Sequence, residues 1–337
     1  MNSLDRIQAA LSFRKPDCVP VIAQVFGHAA VLSDVSLGAY VRDGELLARC
    51  QLKALSHYGY DAVFALMDAG VETEAVGSIL TYRTDLYPYV EQYAIADARD
   101  VDKFVVPDPM QKGRMPELLK AAQILRHELQ DEVLIVGCVL GPMTLAMQLM
   151  GPDKTLFLAA DEPDLFAGVL DFALEVAISF GLAQIEAGAH LPLVFDPSAS
   201  PAVIPPQFFR EFVLPRTKRL FSALKSGGSF ANWLHIAGPA ETIFPFYPEA
   251  GVDIANFDYC IDPLRARQIL PLTCLDGNVK SLSFIEATSN DIARESARLL
   301  EFFSSHGGLI LSSGCEIPPE SKSENVAAMV RAPHASW

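Results

Sequence analysis

Short apolar runs recur along the chain, at residues 18–26, 61–67, 132–140, 191–196, 230–236, 253–258, 272–275 and 308–312. Each is rich in Val, Ile, Leu or Phe, as strands covered on both faces are. Helix-sized segments lie between them. Residues 43–58 place Leu46, Leu47, Cys50, Leu52, Leu55 and Tyr58 on one stripe. Residues 161–188 are long and apolar and open with Asp161-Glu162-Pro163, which suits a helix N-terminus. Residues 206–224 carry Phe208, Phe212, Leu220 and Leu224. Residues 288–304 start with Thr288-Ser289-Asn290-Asp291 and continue with an apolar face, the pattern of a capped amphipathic helix.

Eight strands alternating with helices predict a single (β/α)8 barrel, an α/β fold, over residues 1–337. A doubly wound sheet is the alternative, but no GxGxxG follows the first run. Residues 1–17 read as a helix ahead of the barrel, with Leu4, Ile7, Ala10 and Leu11 on one face. Residues 80–125 are too long for one connecting helix. Thr81-Tyr82-Arg83-Thr84 and Tyr87-Pro88-Tyr89-Val90 suggest a small hairpin over the barrel mouth. The tail 332–337 shows no pattern and is expected to fray.

Composition narrows the function classes. The 337 residues include 26 Lys and Arg against 41 Asp and Glu, a formal charge of −15. So negative a surface repels phosphate backbones and anionic lipid, so neither nucleic acid nor a membrane is an expected partner. No apolar run reaches the roughly 18 residues of a membrane span, and the N-terminus lacks a signal-peptide pattern. The six cysteines are scattered without a CxxC, which reads as free thiols in a cytoplasmic protein.

In a barrel of this kind the chemistry belongs to the C-terminal ends of the strands. Reactive groups recur there: Asp68, Cys138, Asp196, His235, Asp258-Tyr259-Cys260, Asp276-Gly277-Asn278 and Gly314-Cys315-Glu316. His235 is a metal ligand or acid/base, or a hydrogen-bonded structural histidine. Asp196 is a catalytic or ligand carboxylate, or a turn cap before Pro197. Cys315, on a tight turn after a buried strand, is the cysteine best placed to react.

The stretch Gly314-Cys315-Glu316-Ile317-Pro318-Pro319-Glu320 with Glu324-Asn325-Val326-Ala327-Ala328-Met329 resembles the C-terminal signature of cobamide-dependent methyltransferases in the uroporphyrinogen decarboxylase superfamily. Leu234-His235-Ile236-Ala237-Gly238 resembles their fifth-strand motif. Gly137-Cys138-Val139-Leu140-Gly141-Pro142 and Asp196-Pro197-Ser198 resemble the third and fourth strand regions, and Leu4–Leu11 with Pro16-Asp17-Cys18-Val19-Pro20 the N-terminal ones. The resemblance spans essentially the whole chain. It implies a uroporphyrinogen decarboxylase-like TIM barrel and one of two activities, decarboxylation of uroporphyrinogen or methyl transfer between a cobamide and a small acceptor.

The decarboxylases hold substrate carboxylates with arginines just after strand one. Residues 21–41 contain neither Arg nor Lys, which argues against a substrate with eight carboxylates. The methyltransferases use zinc held by His-x-Cys on strand five and a Cys after strand eight, zinc lowering the pKa of an acceptor thiol. His235 and Cys315 match two of these positions, but Ala237 stands where the middle Cys belongs. Cys260 could supply the missing sulfur. Asp196 or Glu74 could supply oxygen. Or the metal has been lost.

The expectation is therefore a corrinoid-dependent methyltransferase. Methylcobamide would arrive on a separate corrinoid protein, and the other substrate would be a small methyl donor or acceptor such as a thiol, a folate or a methylated compound. His235, Asp196 and Cys315 are the candidate catalytic residues. Asp68, Cys138, Tyr259, Asn278 and His28 are candidate substrate contacts, and His235, Cys315 and Cys260 candidate zinc ligands. The rivals are a decarboxylase and a binding barrel that has lost its zinc site.

Overall fold

The computed structural model describes residues 1–335. Eight parallel strands fall on the eight apolar runs: β1 (Val21–Ile22), β2 (Ala62–Phe64), β3 (Leu134–Leu140), β4 (Leu191–Phe195), β5 (Trp233–His235), β6 (Ile254–Asn256), β7 (Cys274–Val279) and β8 (Leu309–Ser313). They form one sheet ordered β1-β8-β7-β6-β5-β4-β3-β2, with helices on its outer face, the (β/α)8 architecture. Inward side chains such as Ile22, Phe64, Val136, Leu193, Trp233, Ile254 and Ile310 pack together along the axis. A larger apolar layer lies between strands and helices.

Strands β1 and β2 share no ladder, and side chains close the seam between them. Asp61 donates its backbone N–H to the Val21 carbonyl at 2.8 Å, and its Oδ2 accepts the Val21 N–H at 2.8 Å. Gln51, fully buried on the helix Gly44–Tyr58, donates to the Val25 carbonyl at 2.9 Å and accepts the Phe64 N–H at 3.2 Å. Two polar side chains thus replace the hydrogen bonds of a missing ladder.

Several elements differ in detail from expectation. Strand β7 begins two residues later than the apolar run and extends to Val279, so Asp276 and Asn278 lie within the strand. The segment 206–224 is not one regular helix. It widens into a π turn at Phe209–Val213 before the helix Leu214–Ser226, since Pro215 has no N–H and its ring crowds the preceding turn. The hairpin is present as Ile79–Thr81 paired with Tyr89–Gln92, which leaves 82–88 as the connection. The expected frayed tail is instead helical through Ala335, as part of Ser323–Ala335, while Ser336 and Trp337 lie outside the described residues. The N-terminal helix is confined to Ser3–Leu11, with an Asn2–Asp5 capping box.

The expectation that no segment is long enough to cross a membrane also needs correction. The helix Pro163–Glu186 has the length and apolar composition to do so, but half of its most apolar stretch is buried. It packs on β3 and β4 and on the helices Pro142–Met150 and Leu214–Ser226.

The seam yields a stability prediction. Gln51→Leu leaves the Val25 carbonyl and the Phe64 N–H buried without partners, at about 1–3 kcal/mol each. Urea unfolding should show a loss of roughly 2–5 kcal/mol, whereas a loss within experimental error would mean that the seam closes without this side chain.

Candidate active site at the barrel mouth

A cavity of about 190 Å³ opens among the C-terminal strand ends. Phe26 reaches it from beyond β1, Leu66, Asp68 and Ala69 from beyond β2, Cys138 from β3 and Phe195 from the end of β4. Cys315 and Glu316 come from the turn after β8, and Tyr87 and Pro88 from the hairpin connection, which forms one wall.

Two hydrogen-bond systems set these walls. The Glu316 Oε1 accepts the Tyr87 hydroxyl at 2.5 Å and the Gly27 N–H at 3.2 Å, fastening the hairpin to the turn after β8. A Cβ at position 27 would press against the Tyr87 hydroxyl, so the approach requires glycine. Burial pushes the Glu316 carboxyl up to about 7. On the other side, Arg114 grips Asp68 through both terminal nitrogens, one of them at 3.1 Å, and donates through Nε to Glu74 at 2.7 Å and through Nη1 to the Val41 carbonyl at 2.7 Å. Its guanidinium lies 5.2 Å from the Tyr82 ring centre. That cation is engaged on every side, and none of the cavity-lining residues is Lys or Arg.

His235 sits in the barrel interior behind Phe195. It is two residues beyond the inward Trp233 and therefore shares its face. Its Cα pairs in register with that of Phe195, and the two ring centres are 5.1 Å apart. The side chain is fully buried and neither ring nitrogen has a hydrogen-bond partner. Burial alone pushes the imidazole down to about 3, so it is neutral at working pH. The adjoining strands β6, β7 and β8 carry Asn256, Asp276 and Ser312 inward, and Gln24 reaches the last two. Its amide contacts Asp276 Oδ2 at 3.4 Å and the Ser312 hydroxyl at 3.4 Å. Burial raises the Asp276 carboxyl to about 7, outweighing its hydrogen bonds with Ser312, Asn256 and Trp233. In the layer nearest the mouth the barrel interior is thus polar along β5–β8 and apolar along β2–β4.

The other expected site residues separate into those at the cavity and those elsewhere. Asp68, Cys138 and Cys315 line it, with both thiols pushed upward by burial, Cys315 to about 11. Asp196 is buried on the outward side of β4, where its Oδ1 accepts the backbone N–H and the hydroxyl of Thr144, both at 2.7 Å. It complements the N-terminus of the helix Pro142–Met150, and a Cβ on Gly141 would overlap its carboxylate. Burial raises it to about 6.

His28 is away from the cavity. Its Nδ1 lies 2.9 Å from the Pro319 carbonyl, which can only accept, so Nε2 accepts the Tyr58 hydroxyl at 2.8 Å. Asn278 donates to the carbonyls of Asp258 and Ile261 and so holds the loop after β6. Tyr259 and Cys260 are exposed on that loop. Glu316, Tyr87, Phe26, Phe195 and Arg114 were not among the sequence candidates. Glu316 had a signal in its place in the turn after the last strand, and Tyr87 in the hairpin expected over the mouth.

The zinc implied by the resemblance does not fit the residues present. Among the described residues no three His, Cys, Asp or Glu side chains gather as a metal-holding group. Ala237 contributes no ligand, and Cys260 is not brought together with His235 and Cys315. Asp196 is bound to Thr144, and Glu74 to Arg114 and the Tyr82 hydroxyl. Two donors fall short of the three protein ligands of a catalytic zinc site.

The fold and mouth cavity define a TIM-barrel protein with a compact site at the strand C-termini. The chain belongs to the uroporphyrinogen decarboxylase family, whose model matches residues 2–336. It is 30% identical over 336 residues to "Methylcobamide:CoM methyltransferase MtaA" of Methanosarcina barkeri, covering 97% of this chain and 96% of that protein. It is 31% identical over 297 residues to "Uroporphyrinogen decarboxylase" of Syntrophotalea carbinolica, covering 86% and 84%. A solved structure described as a methyltransferase from Methanosarcina mazei superposes with a TM-score of 0.91 at 28% identity, covering 99% of each chain.

Two predictions follow from this geometry. The Asp276 carboxyl is raised in the folded protein, so its contribution to stability is fully present below about 4 and is lost as pH rises through about 7. Asp276→Asn should remove that part of the pH dependence, making the variant gain on wild type as pH rises from 5 to 8 in thermal unfolding. An unchanged difference between the two curves would contradict the assignment. For zinc, wild-type protein dialysed from dilute zinc should retain well under one ion per chain by elemental analysis, and Ala237→Cys should raise the content. Equal and near-stoichiometric zinc in both would restore a wild-type site.

Proposed function

We propose that this chain is a corrinoid-dependent methyltransferase, moving a methyl group between a cobamide carried by a partner protein and a small molecule held in the mouth cavity. The observation that carries this reading is the lining of that cavity, which has acidic and apolar walls and no basic residue. It adjoins a second hollow of about 450 Å³ that shares Ala69, Pro88 and Phe195 with it. The alternative occupant is a tetrapyrrole with eight carboxylates. Its carboxylates would meet Asp68 and Glu316 on the walls, with Arg114 already paired and Arg83 lying over the Tyr89 ring. The full-length likeness to proteins named as methyltransferases supports the same reading, and the relatives named as decarboxylases keep the alternative in view.

The chain's own residues bind, orient and shield. Phe26, Leu66 and Phe195 provide apolar contact and exclude water. The Tyr87–Glu316 bond holds the hairpin as a wall, and the Asp68–Arg114–Glu74 cluster fixes the opposite side. The reacting methyl group must point out of the mouth, where the corrinoid of the partner would supply the cobalt that accepts or donates it. The six free thiols support our placement of the protein in the cytoplasm.

Purified protein mixed with methylcobalamin and a panel of small acceptors should demethylate it, read as loss of the methyl–cobalt absorbance. The reverse reaction should methylate cob(I)alamin from a methylated donor. Conversion of uroporphyrinogen to coproporphyrinogen, with no methyl transfer in either direction, would replace this reading with the decarboxylase.

A further inference from the structure

Phe26, Tyr87 and Phe195 contribute to the cavity walls, together with two carboxyl-bearing residues and no basic one. Neutral hydrogen-bonding capacity is scarce. Both Asp68 oxygens are bound to Arg114, and one Glu316 oxygen to Tyr87 and Gly27. With Glu74 the Arg114 cluster carries one excess negative charge, and the whole chain carries −15. Aromatic surfaces beside carboxylates favour a cation that makes no hydrogen bonds, because such an ion is held by ring faces and by charge at a distance.

Resting on the methyl-transfer reading, we propose that the small substrate is an onium cation without an acid group, a quaternary ammonium or a sulfonium ion. Its methyl groups would lie against Phe26, Tyr87 and Phe195, and its charge would face Glu316 and Asp68. An onium that also bears a carboxylate or sulfonate is disfavoured, as is an anionic thiol, because no wall residue offers a free cation to pair with it.

The chemistry agrees with the loss of the middle zinc ligand. A thiol acceptor must lose its proton, and in this cavity the thiolate would join Asp68 and Glu316 without a free counter-charge. An onium donor has no such requirement. Its methyl carbon passes to the cobalt(I) of the partner's corrinoid. The new bond takes the cobalt's electron pair, and the broken C–N or C–S bond leaves its pair on the heteroatom. The amine or thioether departs neutral, no proton moves, and no acid is required. Ala237 is compatible with that direction of transfer.

Calorimetric titration of the full chain tests the proposal without turnover. The probes are choline, its neutral carbon isostere 3,3-dimethylbutan-1-ol, and 2-mercaptoethanesulfonate. Choline should bind at least tenfold more tightly than the isostere, and the sulfonate should show no measurable binding. Phe195→Leu and, separately, Glu316→Gln should each weaken choline at least fivefold, with unfolding curves confirming that the variants fold. The comparison of ligands on wild type stands whether or not they do.

Equal binding of choline and the isostere, or preference for the anionic thiol, overturns the proposal. Transfer assays with cob(I)alamin separate the two levels of inference. Methylation of cob(I)alamin from choline, or from a related onium ion, supports both. Transfer between methylcobalamin and a thiol, without choline binding, leaves the methyltransferase standing and removes the onium assignment. Choline bound selectively, but with no methyl transfer to or from cobalt, keeps the binding assignment and removes the activity.

Discussion

The barrel depends on a seam that its backbone does not close. Seven of the eight neighbouring strand pairs are joined by ladders, and the eighth is held by Asp61 and Gln51. Both are buried, so the hydrogen bonds they make have no competition from water, and losing either leaves unsatisfied backbone groups in an apolar setting. The cavity lies across this same seam, with Phe26 following β1 and Leu66 and Asp68 following β2. The hairpin walls off the space beyond these two strand ends through Tyr87.

Strand alternation explains why the interior has two characters. Every second residue of a barrel strand points inward, so one residue type per strand decides the lining of each layer. At the layer nearest the mouth β2, β3 and β4 present Leu66, Cys138 and Phe195, while β5, β6 and β7 present His235, Asn256 and Asp276. Burial without a charged partner then acts in one direction on each group. It drives the His235 imidazole neutral and lifts the Asp276 carboxyl toward neutrality. The polar half is consequently less charged than its residue types suggest, and near the cavity the charges belong to Asp68, Arg114 and Glu74, with the Glu316 carboxyl lifted by burial to about 7.

Much of this architecture was legible in the chain. Strands buried on both faces produce short apolar runs, and their alternation with longer helical patterns set them apart, so all eight were found, with errors of a few residues at their ends. The mouth was found because strand C-termini are where such barrels place polar groups, and Asp68, Cys138 and Cys315 do line the cavity. Asp196 and His28 were expected at the site and lie outside the cavity lining. Their environment depends on Thr144, Pro319 and Tyr58, groups far away in sequence. The seam was illegible for the same reason: Gln51 looks like an ordinary polar residue on a helix until Val25 and Phe64 arrive beside it. Arg114 gave no sign of its role, since Asp68 lies 46 residues away across an irregular connection.

The residue that departs from the family pattern and the charge of the cavity bear on one question, how a methyl group is made transferable. A bound metal does so for a thiol acceptor by stabilising its anion, which requires sulfur ligands and a surrounding that tolerates a new negative charge. Here Ala237 withholds a ligand, and Asp68 and Glu316 make the surrounding less tolerant of an anion. Ala237 is the departure from the family pattern and the carboxylates are the setting it occurs in, and both disfavour an anion more than a cation. A methyl group on a positively charged nitrogen or sulfur is already activated by its leaving group. The protein then has only to recognise the charge, exclude water and present the carbon to the mouth. Aromatic walls, a fastened hairpin and an absence of basic residues are what the cavity contains, and they fit the onium donor proposed above.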